Sequence, residues 1–175
     1  MSGKIVGIAI MLIALAVGAG IYYFQVYGYY TEISDAQQRG VALTSLSTGT
    51  PEPILATGIT AIDAGSSPIR YRACFSTQMS QAMLSETYVD YPEAEPLTGP
   101  GWFECFDADG IGDALARGDM LPFLGEANVV YGIDRVVAID AQGRGYVWHQ
   151  INACGEQVFD GKPAPQGCPP REGTQ

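Results

Sequence analysis

The sequence predicts an α+β chain: an N-terminal transmembrane helix, then a small, mostly antiparallel sheet domain with short helices and two disulfides. Three observations predict it. Ile5 to Phe24 reads IVGIAIMLIALAVGAGIYYF, a charge-free run as long as the roughly 20 apolar residues that cross a bilayer core. Cys74, Cys105, Cys154 and Cys168 all lie beyond that run, which suits an exported domain with oxidised cysteines. Short apolar strands and short helical stretches then interleave without a regular βαβ period. The expected organisation is an anchor over residues 1–30, a stalk over 31–50 and a domain over 51–175.

The apolar run competes with a secretory signal, whose apolar stretch is shorter and ends at a small-residue cleavage site. Small residues occur at Ala14, Ala16, Gly18, Ala19 and Gly20, but the run continues past them. Tyr22, Tyr23, Tyr27, Tyr29 and Tyr30 follow, five of the ten tyrosines. Amphipathic rings favour the headgroup layer, so this cluster reads as a membrane-interface belt, which a cleaved signal does not need. Lys4 on the short side favours a cytoplasmic N-terminus. The remainder is then exported.

Beyond the anchor, Thr31 to Ser47 holds a short helix before Ser-Thr-Gly-Thr-Pro. Pro51 to Thr60 opens the folded part, and Ser66-Ser67-Pro68 is turn chemistry. Ile69 to Ser76 alternates as a half-buried strand, with Ile69, Tyr71, Ala73 and Phe75 on one face and Arg70, Arg72 and Cys74 on the other. Thr77 can cap a helix running to about Tyr88. Tyr91 to Gly101, with three prolines and two glycines, is a loop. Trp102 to Phe106 is expected as a second short strand. Asp109 can cap a helix over Ile111 to Arg117. Val129 to Asp140 and Tyr146 to Ile151 form a hairpin about the reversal Ala141 to Gly145. The tail from Gly161 is rich in Pro and Gly.

Four cysteines allow three connectivities, and sequence does not choose among them. Proximity favours Cys154 with Cys168, closing a loop of about 15 residues worth roughly 3 kcal/mol in the chain-entropy model. Cys74 and Cys105 would form the second bridge.

All 19 acidic residues lie beyond the anchor, with eight of the nine basic ones, a formal charge of −11 for that part. Such a field repels nucleic acid and anionic lipid surfaces, so no nucleic-acid partner is expected. The expected partners are the bilayer itself and a membrane protein complex.

Motifs that carry chemistry are sparse. Asp107, Asp109 and Asp113 surround Gly110, but with that glycine at position six of a calcium loop, positions one and twelve are Cys105 and Ala116, so the pattern fails. Acids at a helix start account for them. His149, the single histidine, is the candidate general base or metal ligand, with Asp107 or Glu104 as an acid partner. Cys-x-x-Cys, phosphate-loop, nucleotide-binding and nucleophile-elbow motifs do not occur, so no cofactor is expected.

The stretches Ser66-Ser67-Pro68-Ile69-Arg70-Tyr71-Arg72-Ala73-Cys74-Phe75, Gly101-Trp102-Phe103-Glu104-Cys105-Phe106 and Gly167-Cys168-Pro169, with the N-terminal anchor, resemble a family of small alphaproteobacterial membrane proteins defined only as a domain of unknown function. The resemblance spans nearly the whole chain. It implies an inner-membrane anchor with a periplasmic domain, and it carries no activity. The expectation is therefore a non-enzymatic accessory subunit, assembly factor or scaffold of a membrane complex. The rival is a periplasmic enzyme or a metal- or ligand-binding domain centred on His149.

Overall fold

The computed structural model describes residues 3–171. It begins with helix α1, Gly3–Tyr23, which continues as a π-helical turn over Phe24–Gly28. Together they give one apolar helical stretch of 26 residues, long enough to cross a membrane. Up to Tyr23 its side chains stay largely uncovered by the rest of the chain, with Ile10 and Leu15 more than 60% exposed. A core helix of a soluble domain would be covered. Signal sequences meet the same length and composition criteria.

The domain is built on a six-stranded antiparallel sheet. In chain order its strands are β1 (Thr31–Glu32), β4 (Thr57–Asp63), β5 (Arg72–Ser76), β6 (Met120–Val130), β7 (Ile133–Asp140) and β8 (Arg144–Ile151). Spatially they run β1-β4-β5-β8-β7-β6. A separate hairpin, β2 (Val41–Thr44) with β3 (Pro51–Ile54), packs on one face. Thr44 Oγ1 donates to the Gly125 carbonyl at 3.1 Å and ties that hairpin to β6. Helices α2 (Ala36–Arg39), α3 (Gln81–Thr87), α4 (Ala108–Arg117) and α5 (Ala153–Phe159) surround the sheet.

Period-two alternation fills both faces of the sheet. Ala73, Phe75, Val137, Ile139 and Val147 join Leu43, Leu84 and Phe123 in one core. Cys74, Val136, Ala138 and Trp148 join Phe106, Ile111 and Met120 in the other. The β5 segment is thus not the half-buried strand its alternation suggested: Arg72 to Phe75 are buried on both sides. The polar side is covered by the 91–107 loop and α4, a tertiary contact that local periodicity does not report.

Several other expectations are corrected. Trp102–Phe106 is not a strand; local turn bonds form instead, Phe103 N–H to the Pro100 carbonyl and Phe106 N–H to the Phe103 carbonyl. The helix expected from Thr77 starts at Gln81, where Ser80 accepts from the Met83 amide. Thr77 is drawn away because its hydroxyl donates to the Leu55 carbonyl at 2.7 Å. The apolar run from Val129 is two strands, broken at Tyr131-Gly132. Gly132 takes φ +78° and faces Gly155 so closely that a Cβ there would lie 2.5 Å from the Gly155 Cα. That same contact explains the unexpected α5: Gly155 gives room for close approach inside a helix capped by Asn152. Strand β6 escapes the pattern because Pro122 and Gly125 interrupt it, and proline is tolerated there at a sheet edge.

Residues 31–50, expected as a stalk, hold β1, α2 and β2. Strand β1 pairs with β4 through Thr31–Asp63 and Glu32–Ile62, and Val41 and Leu43 are core residues. The chain therefore enters the domain within a few residues of leaving α1.

Both disulfides form with the pairing that proximity favoured, Cys74–Cys105 and Cys154–Cys168. The first joins β5 to the loop before α4 rather than to a second strand.

Candidate functional site

Three places gather polar or aromatic chemistry, and each grows from a different part of the fold. The first surrounds His149, which the β7–β8 register sets opposite Arg135. Its Nδ1 lies 2.7 Å from the Pro68 carbonyl, and Arg135 Nε donates to its Nε2 at 3.1 Å. A carbonyl only accepts and a guanidinium only donates, so the ring is the neutral Nδ1–H tautomer with both nitrogens used. Tyr71 stacks on the imidazole at 4.9 Å and 20°, and Arg135 lies over the other ring at 5.2 Å from its centroid. Arg135 also pairs with Glu126 at 3.2 Å.

Burial, reinforced by the Arg135 charge against the opposing Pro68 bond, pushes the His149 pKa down to about 4. The ring is then neutral at pH 7 and has no lone pair free for a metal. The proposed acid partners Asp107 and Glu104 make no bond to it.

This arrangement sets a pH dependence. The unfolded chain binds a proton below about pH 6.5 and the folded chain only below about pH 4. Stability should therefore fall as pH drops from 6.5 to 4, by up to about 3 kcal/mol. Replacing His149 by Gln should flatten that window. An equal slope in urea midpoints for the two proteins between pH 4 and 6.5 would contradict it.

The second place is a cleft of about 570 Å³ between α4 and the β7–β8 turn, lined by Gln81, Asp107, Arg117, Asp119, Asp140 and Arg144 among others. Its two arginines are paired internally, Arg144 with Asp140 at 2.6 Å and Arg117 with Asp119 at 2.8 Å. Asp140 also accepts from the Gln142 and Arg144 amides, so it acts as a turn staple. Asp107 stands at the N-terminus of α4, Asp109 lies in its first turn, and Asp113 sits farther along. All three are exposed. Among the described residues no three His, Cys, Asp or Glu side chains converge as a metal would need.

The third place is the neck where the apolar helix meets the domain. A helix end leaves its last carbonyls without intrahelical donors. Trp102 Nε1 takes one of them, donating to the Val26 carbonyl at 2.7 Å. Its indole stacks on Tyr27 at 6.5 Å and 15°, and meets Tyr30 edge-on at 6.2 Å. Arg70 then lies over Tyr29 and Tyr30, its guanidinium carbon 5.9 and 5.5 Å from their centroids. Of the expected interface tyrosines, the structure joins Tyr27, Tyr29 and Tyr30 to the domain. Tyr22 and Tyr23 stay exposed on the helix.

Sequence reasoning missed the parts of Trp102 and Arg70 in this neck. The signal was available: a tryptophan after Gly-Pro-Gly and two alternating arginines, in a chain whose tyrosines crowd one helix end.

The molecule is thus a disulfide-stapled, antiparallel sheet domain locked by aromatic residues to an apolar N-terminal helix. Over residues 41–169 the chain matches the model of a family of unknown function, DUF6446, and it belongs to that family. The match covers the domain from β2 to the second disulfide and leaves α1 and the neck tyrosines outside. No curated protein and no solved structure matches the chain.

Proposed function

We propose that the chain is a single-pass inner-membrane protein, with a cytoplasmic N-terminus and a periplasmic domain, that serves as a non-enzymatic accessory subunit or scaffold of a membrane protein complex. The observation that carries this reading is the neck. The bond from Trp102 to Val26, with Tyr27 and Tyr30 around the indole, fixes the domain's attitude to the helix. A domain held at one attitude to the bilayer offers a neighbouring membrane protein a constant surface. Lys4 supports the orientation through the excess of basic residues on cytoplasmic ends, and the disulfides support an oxidising compartment.

The rival reading around His149 has less support, because Pro68 and Arg135 already occupy both ring nitrogens. Capture of the tagged full-length chain from gently solubilised native membranes tests the proposal. The expected result is a stoichiometric membrane-protein partner whose recovery drops in Trp102→Ala. Recovery of the wild-type chain alone would overturn it.

A further inference from the structure

Arg70 is a domain cation that the fold leaves without an anion. Among the described residues it has no carboxylate and no side-chain hydrogen-bond partner, and its Nη1 is buried without one. The rings of Tyr29 and Tyr30 lie beside the guanidinium and attract a cation through their π faces. Nε and Nη2 are not sealed in this way, and the residue as a whole is half-buried. The guanidinium therefore sits beside aromatic rings while Nε and Nη2 stay unpaired.

The position of those nitrogens identifies what they meet. The apolar stretch Gly3–Gly28 is roughly 39 Å long at about 1.5 Å per residue, against a hydrocarbon core of about 30 Å. Its last turns therefore emerge in the headgroup layer, and Tyr29 and Tyr30 follow directly. Trp102 holds the domain at that level. A planar guanidinium with a free edge matches the oxygens of a phosphate.

We propose that Arg70 forms, with Tyr29 and Tyr30, a binding site for the phosphate of one anionic phospholipid in the leaflet facing the domain. The domain's formal −11 repels an anionic surface at long range. Binding is therefore local and stoichiometric, one headgroup at the neck. The inference rests on the reading of Gly3–Gly28 as a membrane anchor.

The test is native mass spectrometry of the full-length chain released from micelles, with phosphatidylglycerol or phosphatidylcholine added at equal concentration. The wild-type chain should retain a single phosphatidylglycerol and much less phosphatidylcholine. Arg70→Gln should weaken that retention about tenfold or more, the loss of a charged bidentate partner. Arg117→Gln, remote from the neck, should leave it intact. Millimolar inorganic phosphate should not displace the lipid. Equal retention of the two lipids by the wild-type chain would overturn the proposal, whatever the variant's stability. So would an adduct that survives in Arg70→Gln, or displacement by free phosphate, which would make the ligand a soluble anion. Extraction of the chain from membranes by alkaline carbonate would instead defeat the anchor reading itself, a distinguishable failure.

Discussion

Replacing Arg72 by Ala is expected to destabilise the domain by about 3 kcal/mol or more, since each buried carbonyl left without its donor costs about 1–3 kcal/mol. Arg72 is 2% exposed. Its Nε donates to the Leu97 carbonyl at 2.8 Å, Nη1 to those of Ile69 and Tyr71 at 2.8 and 2.7 Å, and Nη2 to that of Thr98 at 3.3 Å. It also lies over Phe106, 5.5 Å from the ring centroid. One side chain thus pins the proline-rich 91–101 loop and the turn before β5. Burial pulls its pKa down to about 10, so it stays charged at pH 7. Alanine would leave four carbonyls without this donor and release the loop that covers the second core. Lys restores the charge but not the planar fork, so Arg72→Lys should recover only part of the loss. Urea unfolding of the two variants measures this, and a change below about 1 kcal/mol for Arg72→Ala would contradict the role.

Reducing both disulfides should have an effect of similar or larger size. The bridges span sequence separations of 31 and 14 residues, worth roughly 4 and 3 kcal/mol in the chain-entropy model. Their sum is comparable with the 5–15 kcal/mol total stability of an ordinary domain. The melting temperature in reductant should fall by well over 10 °C. Cys74–Cys105 carries a second consequence, since Cys105 lies three residues after Trp102 on the same loop. Substituting both Cys74 and Cys105 by Ala should lower the melting temperature and also shift Trp102 emission to the red as the neck loosens. Loss of Cys154–Cys168 alone should leave that emission unchanged. Identical melting with and without reductant would rule out a stabilising part for the bridges.

The architecture was legible where the signal was local. The apolar helix, the β7–β8 hairpin about Gly143 and the short-range Cys154–Cys168 bridge each follow from contiguous residues. What escaped depended on contacts between distant segments. Strand β6 hides behind Pro122 and Gly125, which only an edge position accommodates. Helix α5 hides behind Gly155, whose missing side chain serves the Gly132 contact. The burial of Arg72 depends on a loop some 25 residues away. The same division holds for the sites. His149 was visible as a lone titratable group, but its neutral, doubly bonded state depends on Pro68, 81 residues distant. Tyr22 to Tyr30 were visible as a tyrosine cluster, whereas the contact that joins three of them to the domain needed Trp102, 76 residues beyond Val26.

In the proposed membrane placement the domain rests against the bilayer on its aromatic neck. Fluorescence quenching by lipids brominated near the headgroup tests that placement, on the full-length chain in vesicles. Trp148 is fully buried in the core, so the difference between wild type and Trp102→Phe isolates Trp102. The account predicts that most of the Trp102 component is quenched while the Trp148 component is not. A Trp102 component indifferent to brominated lipid would place the domain away from the membrane and contradict the account.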